Sequence, residues 1–133
     1  MSWYDDYSTA MNYMSLPPLP QNLAFSAGAL AQSIQYLQNA VTRFGSGGSV
    51  SVGTLAARGL IADAVLSEAL VLIAGVGAGV YIAGNIGAAF YATNKAWWSS
   101  SDELVSFASE IGISDDGSGW LIGDLQNQQP PAA

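Results

Sequence analysis

The residues of this sequence that could do acid–base chemistry are its carboxylates, because the 133-residue chain contains neither histidine nor cysteine. That composition removes the commonest general base, the commonest zinc ligand and the thiolate nucleophile. A carboxylate pair can hydrolyse a glycosidic bond, but Asp63 and Glu68 lie about 140° apart around an α-helix. Asp102, Glu103 and Glu110 are more simply explained as helix-capping and solvated charges. We therefore predict no enzymatic activity, no catalytic residue, no metal site and no cofactor.

Phosphate-binding motifs and basic patches are also missing from the sequence. The chain has no GxxxxGK loop, and the segment GVGAGVY fails the GxGxxG pattern because Val80 occupies the third glycine position. Its only basic residues are Arg43, Arg58 and Lys95, which are far apart in sequence. Binding to nucleic acid needs several phosphate-neutralising cations on one face. We therefore exclude nucleic acid as a partner.

The composition instead directs attention to lipid. Half of the residues are hydrophobic and 10% are charged, whereas an ordinary globular domain has about 25% charged residues. No charge occurs between Glu68 and Lys95, and these 26 residues would span about 39 Å as a helix, beyond the roughly 30 Å of a bilayer core. The segment is typical of membrane insertion in at least one state. Two alternatives stay open: the buried centre of a soluble helical bundle, or buried β-structure.

Small residues recur at every fourth position of this segment, at Gly75, Gly79, Ala83 and Gly87. Such a series favours close helix–helix contact, which is a main source of association inside membranes. The five glycines between positions 75 and 87 cost about 1 kcal/mol each in a helix, so close packing or a conformational change must compensate. We predict that the four small residues mediate helix association in the membrane.

Polar and aromatic residues suggest further roles around this segment. Asn85 is costly in lipid and should face a neighbour or water in a pore. Asp63 and Glu68 are expected beside it as pore-lining groups that would favour cations. Aromatic and basic residues gather at the end of the segment, as they do at membrane interfaces; the predicted interface anchors are Tyr91, Lys95, Trp97 and Trp98.

The elements that position these residues are predicted to be helices. We expect an all-α fold, a small helical bundle with a central glycine-zipper hydrophobic helix or helical hairpin, its arms at 54–74 and 77–93. An apolar stripe predicts the helix over 21–44; its members are Leu23, Leu30, Ile34, Leu37, Val41 and Phe44. The regions are an N-terminal helix (about 3–14) and Pro linker (1–20), an amphipathic helix (21–44), a flexible Gly/Ser loop (45–53), the hydrophobic glycine-zipper region (54–98) and an acidic C-terminal helix and tail (99–133).

Helix boundaries are indicated by capping residues. Ser2 is suited to the N-cap of the first helix, and Gly45 to the C′ position after the second. Thr54 could cap the helix that opens the hydrophobic region. Ser100 and Glu103 have the spacing of a capping box, in which each side chain bonds the other residue's backbone N–H.

The architecture of residues 54–98, with the segment GVGAGVYIAGNIGAAFYA, resembles the small pore-forming, membrane-depolarising antibacterial effectors of type VI secretion systems. The resemblance implies loading into a secretion-tube carrier, an immunity protein in the producing cell, and ion leakage through the inner membrane of the target. The chain opens with two acids and no basic n-region, so we expect export by a route independent of a signal peptide.

Storage of such a chain requires that its hydrophobic helix be covered. We expect the cover to be helix 21–44, the C-terminal helix or a carrier, and expect it to release at a bilayer with the help of the Gly/Ser loop. The competing class is a non-toxic protein: an immunity protein, a holin-like protein or a soluble helical binding module.

Overall fold

A computed structural model describes residues 2–45, 47–114, 117 and 119–130. Within these residues the chain forms helices and no strand, which confirms the all-α prediction. The α-helices are α1 (Trp3–Tyr13), α2 (Ala27–Phe44), α3 (Val52–Ala57), α4 (Ala64–Val71), α5 (Ala78–Asn94), α6 (Ser101–Glu110) and α7 (Trp120–Asn127), and short 3-10 turns occupy Gln21–Leu23 and Gly47–Ser49.

α1 begins and ends through local hydrogen bonds. The Ser2 hydroxyl accepts from the Asp5 N–H while the Asp5 carboxylate accepts from the Ser2 N–H, which confirms Ser2 as the N-cap and completes a capping box. The helix ends before the proline run rather than at it. Ser15 adopts a left-handed φ of 61°, and the Leu16 N–H donates to the Met11 carbonyl, so the last carbonyls are satisfied by a Schellman-type turn.

α2 follows the predicted apolar stripe but begins at Ala27, with Ser26 as its N-cap, and not at residue 21 as predicted. Leu30, Ile34, Leu37 and Val41 are buried, while Leu23 and Phe44 are partly buried against the core. Gly45 takes the left-handed conformation at the end of the helix, as its sequence position predicts.

The first arm of the predicted hairpin, 54–74, is not one helix. α3 ends at Ala57 because Gly59 adopts a φ of 71° and the Leu60 N–H donates back to the Leu55 carbonyl. Asp63 then starts α4 by accepting the Leu66 N–H at 2.9 Å. The expected Thr54 cap is also wrong, since Ser51 caps α3 and accepts the Thr54 N–H at 3.2 Å.

The chain between α4 and α5, residues 72–77, is held at its end by pairing with the start of α3. The Val52 N–H donates to the Val76 carbonyl at 2.8 Å, and the Ala78 N–H donates to the Val50 carbonyl at 2.7 Å. The break near GVGAG therefore falls between the two arms of the predicted hairpin. α5 begins three residues after Gly75.

α5 lies at the centre of the packing. Its residues from Ala78 to Ala92 are buried except Val80, Phe90 and Tyr91. α1 makes its most extensive contact, and α2, α6 and α7 contact it as well. α2 and the C-terminal helices thus pack on α5, and the N-terminal helix covers more of α5 than any of them.

The C-terminal region packs α6 and α7 together and against α5. Ser100 precedes α6, but its side chain makes no capping bond. Glu103 instead accepts from the backbone N–H and the hydroxyl of Ser99, so the predicted capping box between Ser100 and Glu103 is wrong. Gly112 stops α6 with a φ of 96°. Residues 115, 116, 118 and 131–133 of the acidic C-terminal region lie outside the described residues.

Candidate functional site

Side chains from elsewhere in the same chain pack directly against the glycines of α5. A methyl group on Gly87 would come within 2.8 Å of the Trp98 ring, and one on Gly84 would overlap Leu16. A methyl group on Gly79 would overlap a carboxylate oxygen of Asp124 and lie 3.0 Å from the Gly48 carbonyl oxygen. These close approaches explain why glycine is retained despite its cost in a helix.

The four predicted association residues do not form one stripe in this structure. Gly75 is exposed, lies before α5 and has no atom near its missing side chain. Ala83 is fully buried in α5, and Gly79 and Gly87 contact residues of this chain. In this structure the small residues of α5 therefore serve contacts within one molecule.

A buried hydrogen-bond network joins α1, α5 and residues 16–20, which are called the proline segment. The Tyr7 hydroxyl donates to Asn85 Oδ1 at 2.5 Å and accepts from the Leu19 N–H at 2.9 Å. Asn85 Nδ2 donates to the Tyr81 carbonyl at 2.9 Å. Tyr7 and Asn85 are fully buried, so these bonds satisfy groups that water does not reach. In this structure Asn85 therefore faces Tyr7 of α1.

Tyrosine hydroxyls fix the proline segment onto this network. The Tyr81 hydroxyl donates to the Pro17 carbonyl at 2.8 Å, and the Tyr4 hydroxyl donates to the Leu19 carbonyl at 2.7 Å. Prolines have no N–H to pair with a helix, so their segment is attached through carbonyls that tyrosines can reach. Burial raises the pKa of Tyr7 well above its ordinary value, so this hydroxyl stays protonated and keeps its donor.

Asp63 and Glu68 are not brought to Asn85. Asp63 caps α4, and Glu68 is exposed on the same helix, whereas Asn85 is buried between α1 and α5. The three predicted pore-lining residues therefore do not share one surface in this structure.

The predicted interface anchors belong to an aromatic cluster at the end of α5. The Tyr91 and Trp97 rings lie 4.3 Å apart between centroids, and Tyr13 of α1 contacts Trp97 at 5.7 Å. Trp98 is buried, and its indole N–H has no hydrogen-bond partner among the described residues. Lys95 forms an exposed ion pair with Asp6 of α1 and adopts a left-handed φ of 58°. In this structure the four residues fasten α1 and the following chain to α5.

Asp124 of α7 is a site residue that sequence reasoning missed. Its carboxylate packs against the first turn of α5, between Gly48 and Gly79. Partial burial raises the pKa of this carboxyl, because desolvation disfavours the charged form. No local pattern marks it, since WLIGDLQ is an ordinary helix sequence and its contact comes from tertiary packing.

One helix face is apolar and uncovered. The outer face of α4, defined here as Ala64, Val65, Glu68, Val71 and Leu72, consists of exposed residues. Leu72 is 86% exposed. On the opposite side, Leu66 and Leu70 are fully buried.

Open clefts on the described surface include two that are lined by carboxylates. One, of about 440 Å³, lies between the end of α5 and α6 and is lined by Asp102, Glu103 and Glu110. Hydrogen bonds from Ser99 lower the pKa of Glu103, which keeps this carboxylate ionised. The other, of about 410 Å³, lies beside Phe25, Tyr36 and Asp63. No three potential metal ligands among the described residues are arranged so that they could hold a metal ion together, including the three carboxylates of the first cleft.

Within the described residues, no helix is both long and apolar enough to span a bilayer. Comparisons with protein families, characterised proteins and solved structures found no match to this chain.

Proposed function

We propose that this protein acts on membranes: it is stored with its uncharged central segment enclosed, and it delivers that segment into a lipid bilayer, where it makes an ion-permeable path. The observation that carries the proposal is the burial of α5. A helix without any charged side chain, and with five glycines in or just before it, is covered by four other helices.

Insertion requires a longer helix than α5. With 17 residues, α5 is about 26 Å long, which is less than the roughly 30 Å of a bilayer core. The uncharged stretch of 26 residues from Ala69 to Asn94 would suffice if residues 72–77 became helical. Lipid favours that change because every unpaired backbone group is costly there.

Opening must separate α1 and the proline segment from α5. Their contact includes buried apolar side chains of α1, the Tyr7–Asn85 hydrogen bond and the Lys95–Asp6 ion pair. Asn85 would then lose its partner, so it should pair with Asn85 of a second inserted copy or face water in the conducting path. Gly79, Ala83 and Gly87, once released from their own chain, would be free for contact between helices.

The resemblance to type VI secretion effectors extends this proposal to a biological setting. The target would be the inner membrane of another bacterium, reached through a signal-independent route. A carrier would hold the chain during export and an immunity protein would protect the producer. Depolarisation, rather than degradation of a substrate, would be the toxic event.

The first test follows membrane potential with a voltage-sensitive dye in bacteria induced to make the protein. The proposal expects rapid depolarisation while a dye that intact membranes exclude stays outside. An unchanged potential, with the protein found in the membrane fraction, would contradict ion conduction and favour an anchor or immunity role.

A second test locks the enclosed state. Lys95 is the only lysine in the sequence, and its ion pair with Asp6 permits a zero-length carbodiimide cross-link between α1 and the end of α5. Peptide mapping would verify the linkage. We expect the linked protein to release no potassium from loaded vesicles, and Asp6→Asn, which cannot form this link, to release potassium after the same treatment. Equal leakage from linked and unlinked protein would overturn the opening step.

A second candidate function is a helical module that binds a protein partner and leaves α5 in place. It is favoured by the close packing of other side chains of the same chain against Gly79, Gly84 and Gly87, because such packing is typical of a permanent core. Fractionation separates the two candidates, because a permanent core predicts that the protein never partitions into membranes, even without its partner.

A further inference from the structure

The outer face of α4 is apolar where a soluble helix is usually polar. At 100° per residue, its five positions fall within an arc of about 120°, and the buried Leu66 and Leu70 lie on the other side. A surface helix normally places charged and polar residues outside. Here Glu68 is the one charge on the outside, and Val65, Val71 and Leu72 are large exposed apolar side chains.

The exposed end of this face is held in position by paired backbone. Leu70 is fully buried just before Leu72, and the Ile73 N–H donates to the Leu70 carbonyl at 3.2 Å. The Val76 N–H donates to the Ile73 carbonyl at 3.1 Å, and Val76 in turn accepts from Val52. Leu72 therefore projects outward from a turn whose neighbours are anchored.

We propose that the outer face of α4 is the surface through which the protein first binds a lipid bilayer, and that its ligand is the interfacial region of uncharged phospholipid. The proposal deepens the proposed function, on which it rests, by assigning the docking step to a different element from the inserting helix. α4 is joined to α5 through six residues, so docking there places the uncharged stretch beside the membrane.

Charge argues for uncharged lipid. Helices that bind anionic membranes flank their apolar face with lysine and arginine, whereas this chain has three basic residues against ten acidic ones. None of the three lies in α4. Attraction must then come from burial of Val65, Val71 and Leu72 rather than from lipid charge.

Size argues against a second copy of this chain as the occupant. An eight-residue helix is about 12 Å long, and one face of it is far smaller than the roughly 800 Å² that each partner buries in a standard protein interface. Lipid imposes no such minimum, since an apolar helix face can enter a membrane interface without a shaped counterpart.

The test measures partition of the full chain onto sucrose-loaded phosphatidylcholine vesicles by sedimentation. We expect Leu72→Glu to lower the partition coefficient about tenfold or more, because it removes a large exposed apolar side chain that the bilayer would bury and adds a charge. Glu68→Gln should raise it several-fold. Phe25→Glu is the matched control: Phe25 is 60% exposed and does not belong to the outer face of α4, so its replacement should leave partition within about twofold.

The outcomes separate this inference from the proposed function. Vesicle binding that depends on Leu72 without potassium release supports α4 docking and contradicts the ion path. Binding and leakage that survive Leu72→Glu, or that fall equally in Phe25→Glu, overturn α4 docking. So does a result in which Leu72→Glu converts a dimer to a monomer in analytical centrifugation and leaves lipid binding unchanged.

Discussion

At the scale of single residues, a few buried polar groups hold the N-terminal part of the chain onto α5. Tyr7 accepts from Leu19 and donates to Asn85, so one hydroxyl joins a helix, an extended segment and the central helix. A buried group that loses its partner costs about 1–3 kcal/mol. The network is therefore strong while complete and costly when one member is removed.

Tyr7→Phe tests this dependence. The change leaves the Leu19 N–H and Asn85 Oδ1 without their partner, so we expect a loss of about 2–4 kcal/mol in the free energy of unfolding measured with urea. Tyr36→Phe, at a half-buried tyrosine of α2 outside the network, should change it by less than about 0.5 kcal/mol. Equal effects of the two substitutions would show that the network contributes nothing special.

The free energy of unfolding should depend on pH through Asp124, and the sign follows from the burial of its carboxyl. Its folded-state pKa is raised by burial, so the native state binds a proton more readily than the unfolded chain. The contribution of this proton to the free energy of unfolding is fully present below the unfolded-state pKa of Asp124, near 3.8. It is lost as the pH rises through the folded-state pKa.

Asp124→Asn should therefore stabilise the protein at neutral pH, because it removes a charge that burial disfavours. The difference from the unsubstituted protein should shrink on acidification, as the native carboxyl takes up its proton. Thermal unfolding between pH 7 and pH 4 measures this, with the exposed Asp102→Asn as control. A lower melting temperature of Asp124→Asn at neutral pH would show that attraction between the carboxylate and the α5 N-terminus exceeds the desolvation cost.

At the scale of elements, periodicity and capping predicted α1, α2 and α6 because those helices are specified locally. The stripe from Leu30 to Val41 and the stop at Gly45 are examples. The division of 54–74 was not foreseen, although Gly59 and Asp63 are ordinary stop and start residues; the surrounding apolar run concealed them. The roles of Asp124 and Trp98 could not be predicted, because both arise where distant segments meet at glycines.

Because other side chains pack closely on α5, replacing one of its glycines should change the free energy of unfolding differently from replacing a glycine elsewhere in a helix. Gly87→Ala would push a methyl group into the Trp98 ring, and we expect it to lower the free energy of unfolding by about 1–3 kcal/mol. Gly123→Ala, inside α7 and facing open space, should raise it by up to about 1 kcal/mol. Thermal or urea unfolding of the pair measures the contrast, and the same sign for both would refute close packing at Gly87.

At the scale of the whole molecule, the net charge of −7 opposes any surface of the same sign. We expect binding to vesicles that contain phosphatidylglycerol to be weaker than to phosphatidylcholine, and to recover as salt rises, since salt screens repulsion between exposed charges. Partition measured from low to high salt tests this. Binding that weakens with salt would instead indicate attraction through the three basic residues.

The pairing of residues 50–52 with 76–78 has a consequence for how the chain could be divided. The backbone leaves the rest of the protein at Val52 and returns beside it at Val76, and Gly53 packs directly on Ala74 at this junction. α3 and α4 thus form an excursion with adjacent ends, the arrangement in which insertions between domains are tolerated. Replacement of the excursion by a short turn would leave the ends of the remaining chain adjacent, but it would uncover the side of α2 that packs on α3.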